Sequence, residues 1–282
     1  MRAPFAGLLV LLPLSAFAHQ PVQDMAPRWS DGWGLQVRQE YRASDKLLSG
    51  SSEVANPRDR MDRVSETWLE GVYTFRREVR VTAKLPWIQQ TRVASTGTRQ
   101  KGEGFGDLVL AVPLKRYWNE KGETGSFGFT PHLRLPTGST SDAYPVGDGS
   151  YDVGASFSYV YETPLLYVYG DLFSWLNGSG RRGMNPGNVV GLDLNLGLHP
   201  YHDNATESGV FLMWDVSARY EGRGTSTVGT TGGKRISTGP VAIAYWQNWM
   251  LRAEYAWPAY EKVWDTQVSR GVEFTLSLGA AY

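Results

Sequence analysis

Apolar and polar residues alternate one by one along most of this chain. Between residues 78 and 87, Val79, Val81, Ala83, Leu85 and Trp87 fall on one parity, and Glu78, Arg80, Thr82 and Lys84 on the other. A period of two marks a β-strand whose faces meet different surroundings. The pattern returns with Phe127, Phe129, Pro131, Leu133 and Leu135 against Gly128, Thr130, His132 and Arg134. It recurs from Tyr151 to Glu162, where Tyr151, Val153, Ala155, Phe157, Tyr159 and Tyr161 share one face. Leu192–Leu198, Val210–Tyr220 and Val272–Tyr282 repeat it.

The turns between these runs alternate in length. Arg76-Arg77, WNEKGETG and Glu162-Thr163-Pro164 are short, whereas residues 43–63, residues 92–105, PTGSTSDAYPVGDG, NGSGRRGMNPG and EGRGTSTVGTTGGK are long. One turn, HPYHDNATESG, exceeds its short siblings. Strands of about ten residues joined by short and long turns in alternation predict an all-β fold, a transmembrane antiparallel up-and-down β-barrel of about twelve strands. A soluble β-sandwich would write the same local strings with its apolar face inward. The turn rhythm, the aromatics at strand ends and a strand running to the last residue favour the closed barrel, which leaves no unpaired edge. Pro113, Pro131 and Pro240 fall inside predicted strands and are expected at bulges or water-exposed rims.

Composition fits that class. The 28 basic and 28 acidic residues cancel, which gives no field for nucleic acid. There is no cysteine, hence no disulfide or thiolate metal site. Mean hydropathy is −0.34, yet the chain holds 11 Trp and 15 Tyr, as a wet interior with aromatic girdles requires. Residues 1–18 read as a signal peptide, with Arg2 before an apolar core and Ala16-Phe17-Ala18 ahead of cleavage at Ala18/His19. Residues 19–31 read as a short periplasmic lead, and residues 19–282 as one barrel domain in the outer membrane of a Gram-negative bacterium. An aromatic last residue, Tyr282, on an amphipathic strand resembles the signal that such barrels present to their assembly machinery.

Turning the apolar faces to lipid sends the strand charges into the lumen. Arg38, Glu40, Glu70, Arg80, Lys84, Asp107, Arg134, Asp152, Asp193, Asp215, Arg252 and Glu254 become candidate lumen-lining residues. Both faces of LLYVYGDLFSWL are largely apolar, so Asp171 decides the parity, since a mid-strand carboxylate is unfavourable against lipid. Leu165, Tyr167, Tyr169, Phe173 and Trp175 then follow Asp171 inward as an aromatic ladder beside charged walls. Two readings stand side by side: paired charges that fill a narrow barrel, or a path for solutes.

Catalytic and metal chemistry find little footing. There is no G-x-S-x-G, and His132, with Thr130 and Arg134 beside it, has no local serine partner. Asp142, Asp148 and Asp152 surround a glycine-rich loop without an EF-hand spacing, so no metal or cofactor is expected. Arg99, Lys101, Arg181 and Arg182 lie in predicted external loops, either as solvated charge or with outer-membrane lipid and lipopolysaccharide phosphates as partners.

The stretches GFGDLVLAV, LRLPTGS and VGDGSYDVGASFSYVYETPLLYVYGDL resemble the outer-membrane family of the putative MetA pathway of phenol degradation, over about residues 104–178. The resemblance implies a transporter-type barrel that passes small-molecule solutes, aromatic or apolar compounds included. The alternative is a closed structural or surface-interaction barrel that works through its external loops. Neither is an enzyme.

Overall fold

Each strand carries two chemistries, and closing the sheet into a cylinder gives each its own solvent. The computed structural model describes residues 25–282 apart from residues 28, 121, 204, 227 and 228; the signal peptide and its cleavage site lie outside them. Twelve antiparallel strands pair with their chain neighbours, and the last pairs with the first. They are β1 (Gly32–Ser44), β2 (Asp62–Arg76), β3 (Val79–Val93), β4, β5 (Glu123–Leu135), β6 (Asp152–Glu162) and β7 (Leu166–Leu176), then β8 (Val189–Asp203), β9 (Ser208–Ser226), β10 (Gly229–Trp246), β11 (Trp249–Val263) and β12 (Val272–Ala281). Strand β4 comes in three pieces, Arg99–Phe105, Leu108–Ala111 and Leu114–Glu120.

The wall is apolar outside. Leu35, Leu69, Phe127, Phe157, Leu196 and Leu212 are all half exposed or more, an arrangement that only lipid makes favourable. Exposed aromatics ring both ends: Trp33, Phe75, Tyr201, Trp246 and Trp249 near the termini, and Tyr41, Phe105, Tyr220 and Tyr260 near the long loops. Among the described residues no helix is long and apolar enough to cross a membrane.

The strands outrun the hydrophobic pattern at the loop end. Residues 99–105, expected as loop, continue the sheet against β3, with Trp87 opposite Phe105. The Gly/Thr-rich stretch after Tyr220 is mostly hairpin, with a bulge between Glu221 and Gly224. Both segments are polar because they stand above the lipid, where alternation has no reason to persist. At the terminal end HPYHD extends β8, with a bulge between Leu198 and Tyr201. Pro113 marks a break in β4, as a residue without an N–H should, whereas Pro131 and Pro240 sit outward in unbroken strands. Leu165 is exposed in the turn before β7 and does not enter the lumen.

At the upper break of β4, the residues of the GFGD and LPTG stretches lock together. Leu108 N donates to Thr137 Oγ1 (2.8 Å), Thr137 Oγ1 donates to the Gly106 carbonyl (3.2 Å), and Gly138 N donates to Asp107 Oδ1 (2.8 Å). A Cβ on Gly138 would lie 2.9 Å from Gly147 Cα, so that glycine admits a close chain crossing. Asp107, expected in the lumen, is spent on this knot. Above β1 and β12, Leu47–Ser49 pairs with both Ser52–Val54 and Thr266–Val268, which ties two loops into a small second sheet.

Candidate functional site

The inward parity of the strands builds a lumenal cavity of about 640 Å³. One side, from β11 through β12 and β1 to β3, is a chain of ion pairs. Arg38 reaches Glu40 (2.6 Å) and Glu70 (2.8 Å), and Glu70 also takes Lys84 (3.1 Å). Arg252 pairs with Glu254 (2.8 Å), and Arg270 with Glu273 (3.0 Å). Arg38 also lies over the Trp68 ring, 5.4 Å from its centroid. Partners this close neutralise one another and satisfy the buried polar atoms of a narrow barrel.

The facing side, β5 to β9, is aromatic and acidic. Tyr169, Asp171, Phe173 and Trp175 line the cavity from β7, and Asp193, Asn195 and Asp215 from β8 and β9. Asp171 stands directly across from Asp193 in the ladder. Ser217 Oγ donates to Asp193 (2.6 Å), and Asn195 Nδ2 donates to Asp215 (2.8 Å). Arginines cap two of the rings: Arg134 lies over Trp175 (4.4 Å), and Arg219 over Phe173 (4.8 Å) while pairing with Asp193 (3.3 Å).

Three residues expected in this lining stand elsewhere. Arg80 is buried near the terminal end, where Nη2 donates to Tyr117 Oη (2.6 Å). Tyr167 is buried in an apolar cluster at that same end. Asp152 has no exposed surface and serves as a hub below the loops. It takes Arg134 Nη1 (3.0 Å), Ser150 Oγ (2.7 Å) and Gly178 N (2.8 Å). Arg38, Glu40, Glu70, Lys84, Arg134, Tyr169, Asp171, Phe173, Asp193, Asp215, Arg252 and Glu254 do line the cavity.

The serine missing beside His132 is supplied by the next strand, for His132 Nε2 lies 3.3 Å from Ser156 Oγ. The carboxylate near them, Asp171, bonds to Ser156, whereas in a serine triad the carboxylate bonds to the imidazole. Asp148 Oδ1 accepts from both Ser150 N (2.8 Å) and Ser150 Oγ (2.7 Å), and with Asp152 committed as well these loop aspartates are already engaged. Among the described residues no group of three His, Cys, Asp or Glu is placed to hold a metal ion.

Both ends of the cavity are narrowed by chain. At the loop end, residues 136–151 fold into the mouth, and Gln90 Nε2 donates to the carbonyls of Tyr144 (3.1 Å) and Pro145 (2.7 Å). The Tyr144 ring lies under the Arg92 guanidinium (3.8 Å), and its hydroxyl reaches both oxygens of Asp62 (3.2 and 3.3 Å). Burial, and then the Asp62 carboxylate, push that hydroxyl up to about 12. Arg182, expected on an external loop, donates to the carbonyls of Thr140 (2.8 Å) and Asp142 (2.9 Å) and holds this loop down. At the terminal end, Met25, Tyr167, Phe211, Met213, Val241, Ile243, Tyr245 and Met250 pack together inside the cylinder. Residues 25–27 therefore lie within the barrel and do not form an external lead.

Sequence reasoning missed Tyr144, Met25 and Arg235. Parity alone would have found Trp68, which falls in step with Glu66 and Glu70.

The sequence profile of the family described as "Putative MetA-pathway of phenol degradation" matches residues 60–257. The crystal structure of the COG4313 outer membrane channel from Pseudomonas putida F1 superposes with a TM-score of 0.73 at 16% identity, covering 90% of this chain and 96% of that one. The translocator domain of the autotransporter NalP from Neisseria meningitidis gives a TM-score of 0.44 at 13% identity, with 90% and 88% covered. No curated protein matches the chain in sequence.

Proposed function

The chain belongs to the MetA-pathway phenol degradation family of β-barrels, and from that membership we propose that it is an outer-membrane channel for the passive passage of small solutes. The observation that carries the reading is the cavity itself. About 640 Å³ of lumen is walled by ion pairs on one side and by rings and carboxylates on the other. A barrel packed solid with side chains would leave no such space, whereas the tightly packed cluster here lies at the terminal end. The aromatic side, Tyr169, Phe173 and Trp175, suits weak stacking with aromatic or apolar solutes, a class in keeping with the family's description. The structural relative from P. putida is itself described as an outer membrane channel. In this reading the two termini face the periplasm and the long loops face outward. Arg63 and Lys101, on a shallow outer groove above the lipid belt, then meet lipopolysaccharide phosphates.

A second reading, a closed barrel that acts through its loops, is favoured by the mutual pairing of the lumenal charges and by the chain at both mouths. Conductance of the purified protein in a planar bilayer separates the two. Steady single-channel steps are expected. Silence from a barrel that still shows heat-modifiable migration would replace the channel with the closed form.

A further inference from the structure

Among the described residues, every carboxylate lining the lumenal cavity has an arginine beside it, with two exceptions. Glu40, Glu66, Glu70, Asp193, Glu254 and Glu273 are each ion-paired to one. Asp171 and Asp215 instead take neutral donors: Ser156 bonds to the first, and Asn195 Nδ2 (2.8 Å) to the second. Lys84 and Arg252 face the same cavity, but Glu70 holds the lysine (3.1 Å) and Glu254 the arginine (2.8 Å). The wall from β7 to β9 therefore carries negative charge that the protein itself does not pair.

The ladder gathers this charge into one belt. Asp171 stands opposite Asp193, and Asn195, next on the same face of β8, stands opposite Asp215. Like charges that face each other across a ladder repel, so a cation bound between them relieves the wall. Asn195 adds a separate observation. It is 3% exposed, its Nδ2 is used on Asp215, and its Oδ1, on the cavity lining, has no donor. A buried amide oxygen left without a hydrogen bond is costly, and a ligand N–H in the lumen would remove that cost. Asp171, Asp215 and Asn195 Oδ1 offer three acceptors to the three N–H groups of a protonated primary amine. They do not suit a bare metal ion, for which no group of three ligating side chains is placed among the described residues. Rings flank the belt. Tyr169 lies opposite Asn195, and Phe173 follows Asp171 on the same face of β7. Positions two apart along a strand are separated by about 7 Å, close to the span of an ammonium joined to an aromatic ring by two carbons. An ammonium beside an aromatic face gains a cation–π contact as well.

We propose that Asp171, Asp215 and Asn195 form a lumenal binding site for a protonated arylalkylamine, with the ammonium on the acidic belt and the ring along Tyr169 and Phe173. The inference rests on the channel reading and names a solute class for it, cationic aromatic amines. The test is isothermal titration of the folded full chain in detergent at neutral pH, with phenethylammonium, the uncharged phenethyl alcohol and methylammonium. Phenethylammonium should bind at least tenfold more tightly than either of the others. Asp171→Asn and Asp215→Asn keep the side chain's size and remove its charge. Each should weaken amine binding at least fivefold and leave the alcohol unchanged, on protein whose heat-modifiable migration shows a folded barrel. Equal affinity for amine and alcohol in the native protein, a comparison that needs no variant, overturns the site. A preference that survives in both folded variants overturns it too, and methylammonium binding as tightly as phenethylammonium overturns the part given to the rings. Single-channel recording of the native protein keeps the two readings apart. Silence with the amine preference intact overturns the channel and leaves the site, whereas steady steps without the preference leave the channel and overturn the site.

Discussion

Trp33 and Tyr282 close the cylinder. Trp33 N donates to the Tyr282 carbonyl (2.6 Å), Tyr282 N returns the bond to the Trp33 carbonyl (2.7 Å), and the two rings stack 4.8 Å apart. The first residues of β1 and the last residue of the chain thus complete the seam where no turn can help. Replacing Tyr282 with Lys removes the ring contact, worth about 0.5–1.5 kcal/mol for such pairs, and puts a charge at the lipid boundary. Folded, heat-modifiable protein in the outer membrane should fall several-fold while export continues. Unchanged levels of folded barrel would show that the seam and the assembly machinery do not need this residue.

Tyr144 should act as a latch for the inward loop. Tyr144→Phe keeps the ring under Arg92 and loses the bonds to Asp62, and Tyr144→Ala loses both. Protease cleavage within residues 136–150 should be slow in the native protein, faster in the first variant and fastest in the second. Because the folded-state hydroxyl titrates at about 12 against an ordinary 10, its contribution is complete below pH 10. It is lost as pH rises from 10 through 12. Tyrosinate absorbance of native protein minus Tyr144→Phe should show one late-titrating group.

Asp152 joins two loops to the wall through Arg134, Ser150 and Gly178. Removing a buried acceptor of charge-assisted bonds leaves several donors unmet. Asp152→Ala should cost about 2–4 kcal/mol, discounted from a fully buried pair because Arg134 keeps partial contact with water. The urea midpoint of the folded barrel in detergent is the measurement, and a shift no larger than that of a surface substitution would contradict the hub.

The ring wall should discriminate among solutes if it lies on their path. Tyr169→Ala with Phe173→Ala should reduce uptake of a small phenolic more than that of a sugar of similar size. Equal change for both solutes would remove the aromatic route.

Alternation made the strands legible because lipid and lumen enforce opposite chemistry on successive residues, as in Val79–Trp87. It fell silent above the lipid. Gln100, Gly102 and Thr230 pair in the sheet, and no apolar alternation announces it. Strand β7 was readable only through Asp171, one carboxylate in a run of apolar residues. Met25 and Tyr144 escaped notice for a different cause. Each is held by residues distant in sequence, Met25 by Gly279 and Tyr144 by Asp62, and no local spacing encodes such meetings.

The three-piece β4 has a mechanical consequence. Between its breaks, only Val109, Leu110 and Ala111 pair with β3, opposite Lys84, Ala83 and Thr82. The pairing resumes at Trp87–Phe105 above and at Val79–Leu114 below, so this run of pairs is interrupted twice. Under tension in the plane of the bilayer, a cylinder of uneven stitching yields where its stitches are fewest. Amide protons of Leu108–Ala111 should therefore exchange with solvent ahead of the rest of the wall, and the knot of Asp107, Thr137 and Gly138 is the rivet that keeps this seam from tearing.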